Sequence, residues 1–218
     1  MRFIFACVAS TMLVASPAMA ADDSGFYVGA GLGSFSLQSE AIMFDYGGLE
    51  FDTGRDFDGS DFAFKVLGGW QLNKFIAFEV EYFDGGNPED KFDFSYSDPE
   101  FEAEGQITIE ADTSGWIFSA LGIWPLGDSF NLFAKLGFVT WSVDGDAVIK
   151  ASGTAFGKPF DDKESFSLGS EDGTDFAWGI GGTWNITDAM GLRAEYQQFE
   201  ISDFNSVDLA TASFIYKF

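Results

Sequence analysis

The sequence predicts an all-β fold: an eight-stranded antiparallel up-and-down transmembrane β-barrel with long acidic extracellular loops. Three observations carry this. Segments of roughly ten residues alternate large apolar residues with small or charged ones, at period two. Beyond the first twenty residues no apolar run is long enough to cross a bilayer as a helix, so a closed barrel is the remaining way to span one. The connections between segments alternate between tight and long, as where short periplasmic turns face longer outer loops.

The chain of 218 residues divides at its start. Residues 1–20 read as a Sec-type signal peptide: Met1-Arg2-Phe3 is a short positive start, and an apolar stretch runs from Ile4 to Ala15. Ala18 and Ala20 then place small residues ahead of a mature start at Ala21. That apolar run is shorter than the ~20 residues of a spanning helix. Cys7 lies within it, too early to be a lipid-attachment cysteine. Residues 21–218 are expected to form one barrel domain.

The first strand, 25–37, alternates Phe26, Val28, Ala30 and Leu32 with Tyr27, Gly29, Gly31 and Gly33. The second, 61–72, sets Phe62, Phe64, Val66 and Trp70 against Ala63, Lys65, Leu67 and Gly69. In the third, 75–84, Ile76, Phe78, Val80 and Tyr82 oppose Ala77, Glu79, Glu81 and Phe83. The fourth, 115–125, is apolar on both faces (Trp116, Phe118 and Trp124; Ile117, Leu121 and Ile123), so alternation assigns it no facing. The fifth, 130–143, opposes Leu132, Ala134, Leu136 and Phe138 to Phe133, Lys135 and Gly137. The sixth, 175–186, places Ala177, Gly179, Gly181 and Thr183 opposite large apolar residues. The seventh, 190–201, opposes Leu192, Ala194 and Tyr196 to Gly191, Arg193, Glu195 and Gln197, and the eighth is 208–218. Tight connections fall at Asn73-Lys74, 125–129 and 187–189; the connection 202–207 is short, and 38–60, 85–114 and 144–174 are long. A soluble sandwich would bury its large residues and show water its charged face. Here the large apolar face dominates, with aromatics near strand ends where a membrane girdle would lie.

Composition excludes several function classes. With 35 Asp and Glu against 11 Lys and Arg, a net charge of −24 leaves no basic face for nucleic acid. The absence of His removes the usual general base and the commonest metal ligand, and a Ser-His hydrolase is excluded with it. One Cys excludes a disulfide framework or a thiolate zinc site. No enzyme activity and no cofactor are expected.

Alternation places Lys65, Glu79, Glu81, Lys135, Arg193 and Glu195 on the lumen face, three bases and three acids. An eight-stranded barrel has a bore just wide enough for side chains to fill, and charges persist there only when paired or wet. They form either a structural plug of ion pairs or a narrow gated path whose pairs exchange partners. Catalysis by a carboxylate pair needs a substrate cleft, which a filled lumen lacks.

The long connections are acidic. Residues 38–60 hold Glu40, Asp45, Glu50, Asp52, Asp56 and Asp58 against Arg55; residues 84–113 hold ten acids against Lys91. Residues 144–175 hold eight acids against Lys150, Lys158 and Lys163. Such a surface repels anions and attracts divalent cations, which can bridge it to lipopolysaccharide phosphates. Asp56, Asp58 and Asp61 around Gly59, and Asp144 and Asp146 around Gly145, have spacing that Ca²⁺ loops use, though neither completes a twelve-residue loop with its closing Glu. A solvated acidic surface is the favoured reading. Residues 91–112 alternate on two arms (Phe92, Phe94 and Tyr96; Ile107, Ile109 and Ala111) and read as a projecting hairpin whose edge can pair with a partner's strand. Arms of seven or so residues fall short of the ~9–11 that span a bilayer, which disfavours a ten-stranded barrel.

Three stretches resemble the OmpA-like transmembrane-domain superfamily of eight-stranded barrels: GWQLNKFIAFEVEYF from Gly69, LGDSFNLFAKLGF from Leu126 and GLRAEYQQF from Gly191. With FYVGAGLG from Phe26, the resemblance covers the mature barrel but not its loops, and order and spacing carry it. The chain's end, with Phe214, Tyr216 and Phe218 at alternate positions, resembles the C-terminal signal by which such barrels are recognised for insertion. The resemblance implies inward charges that pair inside the barrel, at Glu79, Lys135, Arg193 and Glu195, and a place in the outer membrane of a Gram-negative bacterium. The chain stops at the last strand, so no periplasmic peptidoglycan-binding domain is expected. The expected function is a non-enzymatic envelope-stabilising barrel with acidic surface loops for adhesion or divalent-cation bridging; the alternative is a narrow gated channel for ions or small solutes. Expected partners are outer-membrane lipid and lipopolysaccharide, the barrel-insertion machinery and a surface partner at the hairpin.

Overall fold

The computed structural model describes residues 24–39, 43–46, 49–52, 57–97, 101–156, 158–202 and 204–218. The signal peptide and its cleavage residues Ala18, Ala20 and Ala21 lie outside the described residues, as does Asp56.

Every regular element among the described residues is a strand. In order these are β1 (Gly25–Ser39), β2 (Met43–Tyr46), β3 (Leu49–Asp52), β4 (Phe57–Asn73), β5 (Ile76–Asp84), β6 (Glu89–Ser97), β7 (Phe101–Pro125), β8 (Phe130–Ala155), β9 (Lys158–Asn185), β10 (Met190–Glu200) and β11 (Ser206–Lys217). β2 and β3 form a separate hairpin between β1 and β4. The others form one antiparallel sheet in the order β5-β4-β1-β11-β10-β9-β8-β7-β6, and pairing of β5 with β7 closes it. Eight of the described strands thus make a ring. β6 pairs only with the upper part of β7, where Phe92 faces Ile107, and its start lies beside β4, where Asp90 accepts the Asp58 N–H (3.3 Å).

Closure removes every sheet edge within the barrel wall, which leaves each backbone polar group bonded to a neighbouring strand inside the bilayer. Side chains then sort by parity. Phe26, Phe62, Phe78, Trp116, Leu136, Ile180, Leu192 and Phe214 stand exposed on the outer wall, and the alternate positions are buried inside. This settles the fourth sequence segment: Trp116, Phe118 and Trp124 face outward, while Ile117 and Leu121 are buried in the lumen. Outward aromatics form a ladder toward the turn end, with Phe26 and Trp70 6.5 Å apart and Trp70 and Phe78 6.4 Å apart. At the opposite end Trp178 Nε1 donates to Glu200 (3.0 Å) and the Tyr196 hydroxyl donates to Asp208. Rings whose polar edge meets a polar group mark the boundary of the lipid-facing band.

The long connections 85–114 and 144–174 correct the sequence reading, because both are largely strand rather than loop. β7 runs unbroken from Phe101 into the barrel, and β8 and β9 rise together as far as Ala155 and Lys158, with one bulge at Gly145/Asp146. Thirteen residues of β8 beyond Ser142 amount to roughly 40 Å of projection at strand rise. The period-two signal fades there because a strand above the bilayer has water on both faces: residues 161–172 of β9 are all exposed. The acidic residues of 144–174 therefore sit on a projecting sheet. The hairpin read from 91–112 is part of it, its second arm continuous with a barrel strand.

Candidate functional site

The lumen carries the chemistry of this molecule, and it is layered. Midway along the bore Lys65 (β4), Glu79 and Glu81 (β5), Lys135 (β8), and Arg193 and Glu195 (β10) point inward, each no more than 7 % exposed. Lys65 Nζ lies 3.1 Å from Glu81 Oε2 and also bonds Glu195. Lys135 Nζ reaches all three carboxylates, at 2.9 Å from Glu79 and 3.3 Å from Glu195, with a close contact to Glu81. Arg193 Nη1 lies 2.5 Å from Glu79 Oε1. Three acids and three bases make one connected, formally neutral network, which is the arrangement that offsets the desolvation of so many buried charges.

Neutral groups complete the layer, and the sequence reading did not single them out for it. The Tyr27 hydroxyl donates to Glu79 (2.5 Å), Gln197 Nε2 donates to Glu81 (2.8 Å) and to Glu195, and Arg193 Nε donates to Thr183 (3.2 Å). All stand on the face that alternation turns inward, Gln197 with Arg193 and Glu195, Tyr27 with Gly29 and Gly31, and Thr183 with Gly179 and Gly181; lacking a charge, they carried no further mark. The Arg193 guanidinium also lies over the rings of Phe133 (4.7 Å) and Tyr27 (5.6 Å), a cation–π setting that fixes its plane.

Above the charges the bore is apolar. Phe35 (β1), Phe83 (β5) and Phe199 (β10) meet across it, with ring centroids 5.9 Å and 5.3 Å apart. Val139, Leu209 and Ile117 pack around them, all essentially inaccessible. Below the charges, Tyr27, Leu67, Ala77, Leu121, Phe133 and Ile215 form a second apolar cluster. A cavity of about 390 Å³ then opens toward the tight turns.

The remaining candidates fall elsewhere. Asp61 and Asp58 lie at the other end of the barrel from the turns. Asp61 Oδ2 accepts the Asn87 N–H (2.8 Å), beside Gly86 at φ 68°, and Asp58 Oδ1 accepts from Gln38 Nε2 (3.2 Å). Among the described residues no group of three or more His, Cys, Asp or Glu is arranged to hold a metal. Phe214, Tyr216 and Phe218 all project from the outer wall, and Tyr216 and Phe218 pack edge to face at 5.2 Å.

A family model described as OmpA-like transmembrane domain matches residues 21–214. No curated protein matches the chain in sequence. Similar solved structures include Ail, the attachment invasion locus protein of Yersinia pestis, in complex with the heparin analogue sucrose octasulfate (16 % identity, 90 % of this chain and 99 % of that one, TM-score 0.41). Neisserial surface protein A is similar at 15 % identity, over 89 % of this chain and 99 % of that one, with a TM-score of 0.46. The outer membrane protease OmpT of Escherichia coli is similar at 10 % identity, over 89 % and 97 %, with a TM-score of 0.44.

Proposed function

The chain belongs to the OmpA-like transmembrane domain family, which places it in the outer membrane of a Gram-negative bacterium, and from that premise we propose that it is a non-enzymatic, envelope-stabilising barrel that presents an acidic projection to the outside. The observation that carries this reading is the filled bore. An ion-pair layer and the Phe35–Phe83–Phe199 layer lie in series across it, so a solute would have to break buried ion pairs and then part an apolar plug. The absence of His from the sequence, which removes the usual general base, supports a non-enzymatic role.

Residues 1–20 serve as the export signal in this reading, and the strand ending in Phe214, Tyr216 and Phe218 engages the insertion machinery. The projection of β6 to β9 carries the acids, which attract divalent cations that bridge to lipopolysaccharide phosphates. β6 is the terminal strand of the sheet; its start lies against β4, where Asp90 accepts the Asp58 N–H (3.3 Å), and the outer edge beyond Asp90 is the surface offered to an extracellular partner's strand.

Planar-bilayer recording tests the proposal, with folding verified by heat-shifted gel mobility. No reproducible conductance is expected from the folded barrel. Steps that change in Arg193→Ala or Lys135→Met would replace this reading with a gated channel.

A further inference from the structure

The two ends of the barrel differ in sign as well as in shape. In a chain of net charge −24, the cavity at the turn end is lined among the described residues by Lys74 and Lys217 (whose Nζ donates to Asn185 Oδ1 at 3.0 Å) against one carboxylate, Asp128, with the Arg193 guanidinium, itself paired with Glu79, at its inner end. Its volume of about 390 Å³ lies within the range of small-molecule sites. Gln71, Asn131 and Asn185 add amide groups to the lining, and Leu121, Ile123 and Ile215 give it apolar walls.

Arg193 is the decisive residue. Its Nε is committed to Thr183 and its Nη1 to Glu79, and the Phe133 and Tyr27 rings hold its plane. Nη2 makes no hydrogen bond among the described residues, although the side chain is more than nine-tenths buried and lines the cavity. A rigid guanidinium that keeps donors unspent in a sheltered cavity is suited to a planar or tetrahedral oxyanion.

We propose that this vestibule binds small organic anions, a carboxylate or phosphate monoester on a compact apolar body, entering from the periplasm. Tight turns face the periplasm in such barrels. The anionic group meets Arg193 and the two lysines, and the body lies against Leu121, Ile123 and Ile215. Because the ion-pair layer and the phenylalanine layer close the bore beyond Arg193, the site is blind: it binds without transporting.

Titration calorimetry on the folded mature barrel in nonionic detergent tests this, with phenyl phosphate and benzoate as probes and benzyl alcohol as their uncharged counterpart. Saturable one-to-one binding is expected for at least one anion and not for the alcohol, and the anion that binds identifies the head group. Lys74→Gln with Lys217→Gln should weaken it tenfold or more in a barrel whose gel mobility still shifts on heating. The proposal is overturned if neither anion binds, if the alcohol binds equally well, or if the folded double variant binds as the parent does.

Discussion

Tyr27 lies across Gly69: a Cβ at Gly69 would fall 2.2 Å from Cζ of the Tyr27 ring. Gly69 is the neighbour of Tyr27 on β4, and Glu79 is in turn the neighbour of Gly69 on β5. The ring therefore spans a whole strand to bring its hydroxyl to Glu79, and only a residue without a side chain leaves room. Gly181 stands in the same relation to Phe133, where an added Cβ would meet Cζ at 2.4 Å. Aromatic rings laid over glycines fill the bore and cover backbone that lacks a side chain of its own.

Gly69→Ala is accordingly expected to cost about 1–3 kcal/mol by displacing the ring, and Tyr27→Phe roughly 1.5–3 kcal/mol by removing a hydrogen bond to a charged group. The two effects should be less than additive, since the first already breaks the second's bond. Reversible urea unfolding of the four barrels of the cycle measures this, and strict additivity would contradict the geometry.

Lys135 is the hub of the ion-pair layer, within reach of Glu79, Glu81 and Glu195. Lys135→Met leaves three buried acids with two bases, and a loss of about 3–5 kcal/mol is expected, with Arg193→Ala in the same direction. Adding Glu81→Gln to Lys135→Met should recover part of the loss, because it restores formal neutrality. A double variant no more stable than Lys135→Met would show that packing, not charge balance, sets the cost.

The inward parity of these residues was legible in the sequence because lipid demands an apolar outer face, so Lys65, Glu79 and Arg193 had one direction to point. Their partners were not legible: alternation assigns a side, while height in the bore depends on the stagger between strands. The facing of 115–125 was hidden because Ile117 and Leu121 belong to the apolar lumen layers, so both faces read alike. The vestibule needed both the register and the positions of the turns, since its cationic lining comes from Lys74, Arg193 and Lys217, far apart in the chain.

Asp112 sits in β7 beyond Trp116, outside the membrane-spanning segment, and its carboxyl is held above the ordinary carboxylate value by partial burial and then by Asp84, Asp144 and Asp146. An acid whose folded pKa is raised binds a proton more readily in the folded state, so stability falls as pH rises from the unfolded value through the folded one, and the deficit persists at neutral pH. Asp112→Asn should therefore protect the amides at the base of the projection at pH 7 and flatten their response to mild acidification. Hydrogen exchange across β7 and β8 reads this, and equal protection in the two proteins would remove the electrostatic strain from the account.

Asp61 closes the connection after β5 by accepting the Asn87 N–H at 2.8 Å, beside Gly86 in the left-handed region. Asp61→Ala should cost about 1 kcal/mol, and the cost should be the same with and without millimolar Ca²⁺. A cost that appears only with Ca²⁺ present would make this aspartate a metal ligand instead.

Phe218 is the last residue, 67 % exposed on the outer wall and packed against Tyr216, while its backbone N–H donates to the Phe26 carbonyl at 3.0 Å. The side chain adds little to the closed barrel, because the backbone bond that joins the chain end to β1 does not depend on it. Phe218→Ala is thus expected to change unfolding stability in detergent by no more than about 0.5 kcal/mol, as for other surface positions. If the ring is what the insertion machinery reads, assisted assembly into liposomes should slow several-fold in the same variant, while spontaneous folding in detergent keeps its rate. Equal assisted rates would place the recognition elsewhere on the final strand; a parallel loss in both assays would make Phe218 a structural residue and not a signal.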